Sequence, residues 1–324
     1  MEIVSALGNW KLTVRRGDDS VVILRASTCD EKAVLPDELF GLPVTELSDR
    51  ALKPDASPVA GEELTLVCGP AEGEFDNRRI RELTLPQGLK SIGEYALMNC
   101  SAMHTLSFSD SIDSIGSTAL MNCRALQFIR ILRTGDTQGT ALHSIVSGMP
   151  RELDVSILSP DGETMRLIFP EYYELYTEIG PSHYFNYTVE GSGFPYHQVC
   201  KGRRLDVKDY DALWEPYLAT GYEEDTALRL AWWRVRYPAG LTEGAQRAYM
   251  DFLNRHAEKA LKFAIGNKDI PGLNLLLQKL EIQPEALDGA RSLARELHFT
   301  EATAILLEKQ HRSHAGGRNR SFAL

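Results

Sequence analysis

Apolar and polar positions between Ile80 and Ala125 recur with a fixed offset of 23 residues. The stretch IRELTLPQGLKSIGEYALMNCSA is followed directly by MHTLSFSDSIDSIGSTALMNCRA. Leu83 returns as Leu106, Leu85 as Phe108, Ile92–Gly93 as Ile115–Gly116, Ala96–Leu97 as Ala119–Leu120, and Asn99–Cys100 as Asn122–Cys123. A period in the twenties predicts a solenoid, in which each unit buries its apolar face only against its neighbours. Leu83, Leu85, Leu89, Ile92 and Ala96 are expected to point inward, with Leu106, Phe108, Ile112, Ile115 and Ala119 one rung on. Pro86 ends its strand because proline cannot donate to a ladder. Gly93 and Gly116 are expected at tight turns with positive φ, and Asn99 and Asn122 are expected to satisfy turn backbone through their amides.

The pattern extends in weaker form to either side. Trp10–Val14 and Val21–Leu24, separated by Arg16–Gly17–Asp18–Asp19, predict a hairpin. Leu47 with Ala51–Leu52 matches Ile92 with Ala96–Leu97, so residues 34–52 form an earlier, degenerate coil. The polar, Pro- and Gly-rich segment 53–79 interrupts the period and is expected to protrude as an insertion loop, with a strand at Leu64–Val67. A third unit opens at Leu126–Ile131, and an irregular last turn runs through Leu142–Ile145 to Leu153–Val155. Ser159–Pro160–Asp161–Gly162 is a turn signal between two strands, ahead of an aromatic run from Phe169 to Tyr196. From Val207 the spacing becomes helical, with Asp209, Asp225 and Thr242 as candidate helix caps. There the chain again resembles itself: residues 264–278 align with 294–308 at an offset of 30.

The motif LxLPxxLxxIGxxALxNC, with the lead-in VLPDELFGLPVTELSDRAL, resembles the BspA-like class of bacterial leucine-rich repeats over residues 10–155. Leu52, Leu97 and Leu120 stand where that class usually has Phe. The resemblance implies a right-handed coil of stacked parallel strands, a role in adhesion or protein binding, and no catalytic residue at the shared positions. The 264–308 repeat resembles the helix pairs of ankyrin repeats, without their Thr-Pro-Leu-His signature. The expected fold is therefore α+β and multi-part. A leucine-rich-repeat domain spans 1–155, an aromatic-rich connector 156–205, a helical domain with ankyrin-like helix pairs 206–310, and a flexible tail 311–324.

Charge and composition narrow the function. A net charge of −10 argues against nucleic acid, whose phosphates are held by clustered Lys and Arg. No stretch approaches the roughly 20 apolar residues of a membrane span, and the start lacks the apolar core of a secretory signal. The cysteines Cys29, Cys68, Cys100, Cys123 and Cys200 are odd in number and without close pairs, which fits a reducing cytoplasm, or export only if a leader has been removed. The eight histidines show no metal-ligand spacing, and Gly191-Ser192-Gly193 reads as a loop turn rather than a phosphate cradle. Neither a metal nor a cofactor is expected.

What remains is surface. Glu82, Thr84, Thr105, Ser107, Phe128 and Arg130 alternate with the buried strand positions and are the candidate binding residues. The leading function is a non-catalytic protein-interaction or scaffold protein with a protein partner. One alternative is an enzyme with a site in the 170–200 region, built on Cys200 with His183 or His197. Another is carbohydrate binding or adhesion through the exposed members of Tyr172, Tyr173, Tyr176 and Tyr184.

Overall fold

The computed structural model describes residues 2–4, 8–68, 73–134, 140–179, 184–200 and 204–318. They divide into two compact units, Met1–Gly221 and Tyr222–Leu324. In the first unit the strands are β1 (Glu2–Val4), β2 (Trp10–Arg16), β3 (Val21–Thr28), β4 (Lys32–Val34), β5 (Glu38–Leu39), β6 (Leu42–Leu47) and β7 (Glu62–Val67). They continue as β8 (Glu82–Thr84), β9 (Ser91–Ile92), β10 (Thr105–Ser109), β11 (Ser114–Ile115) and β12 (Phe128–Leu132). Helix α1 (Ala141–Gly148) then leads to β13 (Leu153–Ser159), β14 (Gly162–Phe169), β15 (Tyr173–Ile179) and β16 (Tyr184–Glu190). The short helices α2 (Phe194–His197), α3 (Val207–Ala212) and α4 (Trp214–Ala219) close the unit.

The 23-residue period becomes a parallel stack. Strands β4, β8, β10, β12 and β13 are successive parallel neighbours, with β14 antiparallel at the end. Leu106 lies between Leu83 and Ile129 on adjacent rungs. Together with Ala33 and Val155 they form a spine no member of which is more than 1% exposed. A second parallel stack on the other side of the coil joins β3, β6, β9 and β11. Like side chains fall on like at the strand spacing of about 4.8 Å, which is why the sequence repeats its apolar identities and not only its pattern.

The cysteines of the repeat point into this coil. The Cys100 thiol donates to the Leu52 carbonyl at 3.7 Å and the Cys123 thiol to Leu97 at 3.1 Å. Leu52 and Leu97 hold equivalent places on successive coils, so the contact is itself periodic. Burial raises both thiols above the ordinary range, Cys123 to about 12.

Several expectations change. Gly93 and Gly116 do not have positive φ; glycine is required there because a Cβ would meet the backbone of the preceding coil. Tyr95 and the paired Asn99 and Asn122 take the left-handed conformation instead. The two asparagines bond each other, Asn122 Nδ2 donating to Asn99 Oδ1 at 3.0 Å, rather than capping turn backbone. Ile115 is half-buried, because β11 is the last rung of its stack. Segment 53–79 does not simply protrude: β7 pairs with β2 and β1. Within it, buried Asn77 donates to the carbonyls of Ala26 and Leu52. Residues 141–148 form α1 rather than an irregular turn. Asp206, not Asp209, caps α3 through Lys208 N.

The second unit contains α5 (Glu224–Arg236), α6 (Glu243–Arg255), α7 (Ala257–Gly266), α8 (Ile270–Lys279), α9 (Pro284–Glu296) and α10 (Thr300–Arg318). Its boundary falls later than residue 206, because Tyr210 and the other aromatics of α3 and α4 pack within the first unit. There the Tyr210 hydroxyl bonds both N and O of Ile168, and Tyr196 meets Tyr210 and Tyr217 edge-on. The offset of 30 reappears as a repeated turn. Lys268 and His298 have φ of 54° and 53°, and the amides after them return to Ala264 and Ala294 at 2.9 and 2.8 Å. Both Trp232 and Trp233 are buried. Helix α10 continues from its buried anchors Ala302 and Leu306 to Arg318; residues 319–324 lie outside those described.

Candidate functional site

The outward face of the β4–β8–β10–β12–β13 sheet carries two rows in register. Lys32, Glu82, Thr105, Phe128 and Asp154 form the first, and Val34, Thr84, Ser107, Arg130 and Ser156 the second. All six candidate residues thus share one face, with equivalent positions on adjacent rungs. Stacking sets this geometry, because residues 23 apart must lie side by side when β8, β10 and β12 pair.

The two rows differ in how much they leave available. The first satisfies itself. Lys32 Nζ lies 2.9 Å from Glu82 Oε1, and this contact, aided by Arg130 and His104, holds the Glu82 carboxyl below the usual carboxylate range. Thr105, expected on the open surface, is only 4% exposed, flanked on adjacent rungs by Glu82 and Phe128. The Phe128 ring packs on His104 with centroids 4.7 Å apart, so it is half-buried. Asp154 is buried and accepts two bonds from Arg166, at 2.7 and 2.8 Å. In the second row Thr84 and Arg130 are exposed, with Ser107 and Ser156 half-exposed between and beyond them.

Lys32, His104, Asp154 and Arg166 were not among the expected site residues. Asp154 follows Phe128 by 26 residues rather than 23 because α1 replaces part of the coil, and so it fell outside the period.

Among the described residues of the middle region, His197 does not activate Cys200 as a nucleophile. His197 is fully buried, and its ring nitrogens face the carbonyls of Val146 at 2.7 Å and Pro170 at 2.8 Å. Neither is left for Cys200. Burial pushes the Cys200 thiol up to about 11, so almost none is thiolate at neutral pH. Cys200 instead lines a cavity of about 100 Å³ with Asp110, His143 and mostly apolar neighbours. His183 lies outside the described residues. Among the described residues no group of three His, Cys or carboxylate side chains could hold a metal. The tyrosines make no coplanar row, because Tyr172 is buried, whereas Tyr173 and Tyr176 occupy opposite faces of β15. The side chain of Tyr184 is not described.

Burial lowers the His197 pKa, while the two carbonyls oppose this because only the charged ring can donate to both. With the folded value below the ordinary imidazole value of about 6.5, the unfolded chain takes up the proton first. Stability from this group is therefore present above that value and lost as pH falls below it. The denaturant midpoint of the first unit is expected to fall between pH 7 and pH 5.5, more steeply in the wild type than in His197→Gln. Equal slopes would show that the ring does not titrate differently on folding.

The family model described as BspA type leucine rich repeat region (6 copies) matches residues 71–143. That segment is a BspA-type leucine-rich repeat region. The chain is also similar to a leucine rich cell surface protein of Faecalibacterium prausnitzii, at 16% identity and a TM-score of 0.26. That match covers 47% of this chain and 42% of the other, less than half of that protein's length. A leucine rich repeat protein of T. pallidum matches at 20% identity and a TM-score of 0.19, covering 37% of this chain and 68% of that one. No curated protein matches the chain. Among the described residues, no helix is long and apolar enough to cross a membrane.

Proposed function

We propose that the chain is a non-catalytic interaction protein that docks a protein partner on the outward face of its repeat sheet. The observation that carries this reading is the second outward row: Thr84, Ser107 and Arg130 align on adjacent rungs, with Thr84 and Arg130 exposed and Ser107 half-exposed, while in the first row Thr105 and Asp154 are buried. Solenoids bury one face of each strand and use the other for binding. The His104–Phe128 packing and the Asp154–Arg166 clamp hold side chains of this face in place, which limits the entropy lost on docking. Arg130 is the side chain of the row best suited to carry partner affinity, since arginine is among the residues that dominate interfaces. The five unpaired cysteines support a reducing compartment for this activity.

The test is affinity capture with the intact chain, comparing wild type with Arg130→Glu. Capture of the partner is expected to drop at least about fivefold, while thermal stability shifts by no more than about 2 °C, as usual for an exposed position. Unchanged capture would remove the sheet face as the docking site.

A further inference from the structure

Six large apolar side chains stand exposed among the described residues, and four of them lie on one hairpin. These are Tyr173, Leu175, Tyr176 and Tyr187, between 42% and 67% exposed. Among the described residues, strands β15 and β16 form a two-stranded sheet with each other. A two-stranded hairpin alone is marginal in water; Tyr176 and Tyr187 share one of its faces, with Tyr173 and Leu175 on the other, and exposed aromatic side chains so placed mark an interaction surface.

The charge of the hairpin indicates what it would meet. Glu171, Glu174 and Glu190 lie on or beside it, and the chain from Leu167 to Cys200 contains neither Lys nor Arg. Tyr187 donates its hydroxyl to Glu174 at 3.0 Å, and Tyr173 donates to Glu171, so two of the rings are held beside carboxylates. Tyr176 and Tyr187 are cross-strand partners with ring centroids 5.1 Å apart and planes tilted by 44°. Splayed aromatic faces next to a carboxylate attract a cation twice over, through the ring quadrupole and through the negative charge. A guanidinium can stack on a ring and bond a carboxylate in the same pose.

We propose that the β15–β16 hairpin docks a Lys/Arg-rich segment of a partner protein. Tyr176, Tyr187 and Glu174 hold one cationic side chain of that segment. This surface is separate from the repeat-sheet face and does not depend on it.

The test uses the intact chain and a labelled (Arg-Ser)5 peptide, with (Glu-Ser)5 as control, read by fluorescence polarisation at low salt. The arginine peptide is expected to bind and the glutamate peptide not. Tyr176→Ser/Tyr187→Ser, which leaves the net charge unchanged, is expected to weaken binding about tenfold or more. Tyr176→Phe/Tyr187→Phe keeps both ring faces and is expected to stay within about threefold of wild type. Removing two carboxylates elsewhere, with Glu285→Gln/Glu301→Gln, is expected to change binding less than about twofold. Absence of binding by the wild type overturns the proposal. Equal binding by wild type and the serine variant also overturns it, since the overall charge of −10 would then account for capture. A phenylalanine variant as weak as the serine variant would remove the rings' faces from the site. Preference for an uncharged oligosaccharide over the arginine peptide would assign the hairpin to carbohydrate instead.

Discussion

Replacing Gly93 by Ala is expected to destabilise the repeat unit by about 3 kcal/mol, the upper end of what overpacking usually costs. A Cβ on Gly93 would lie 2.5 Å from the Asp49 backbone nitrogen and 2.7 Å from the Ser48 carbonyl carbon. Those atoms belong to the preceding coil, and backbone cannot move aside as a flexible side chain does. The same junction carries Gly93 N–H to Leu47 at 2.8 Å, Arg50 N–H to Glu94 at 2.9 Å and Leu52 N–H to Ala96 at 2.7 Å. Pushing the coils apart weakens all three. Gly116 repeats the arrangement one coil later, with a Cβ 2.8 Å from Glu94 Cα. Gly244, in contrast, has nothing within 4 Å of an added Cβ and sits inside α6, so Gly244→Ala should stabilise its helix by about 0.5 kcal/mol. Hydrogen exchange resolves the difference. The amides of β6, β9 and β11 should exchange about a hundredfold faster in Gly93→Ala, whereas those of α6 should slow in Gly244→Ala. Unaltered exchange at β9 would mean that the coils are not in contact at Gly93.

The repeat was legible because a solenoid imposes its geometry on side-chain identity. Leu83 and Leu106 must match when each packs on the other, and the offset between them states the length of one coil. The offset of 30 was legible as well, and the turns at Lys268 and His298 recur at it. The period was silent where a contact falls outside it. Thr105 alternates like any outward residue, yet the neighbours on its two sides, Glu82 and Phe128, cover it. Asp154 joins the first row only because α1 takes over part of a coil and delays the next rung. The glycines were recognised as special, but tight turning and close approach leave the same letter in the sequence, and only the neighbouring coil tells them apart. The tyrosines of the hairpin were the least legible. Exposure there depends on what packs against each face of the hairpin, which the alternation of its residues does not encode.

Leu106→Ala is the counterpart in the core, with an expected cost of about 3 kcal/mol from lost transfer energy and the cavity left behind. Leu106 is fully buried, with Leu83 on one adjacent rung and Ile129 on the other. A vacancy there removes contacts on two sides at once, and the flanking strands cannot close it without breaking register. Coupling in a solenoid runs between neighbours, so the effect should fade with distance along the stack. Exchange should accelerate most at β8, β10 and β12 and less at β4 and β13. Ile115→Ala offers the matched comparison, because β11 ends the second stack and Ile115 is already half-buried. Its loss should cost about 1 kcal/mol, in proportion to the smaller apolar area it hides from water. If both variants cost the same, or if Leu106→Ala loosened all strands of the unit equally, the coil would be folding as one globular core. A steep fall from the centre to the end is what nearest-neighbour stacking requires.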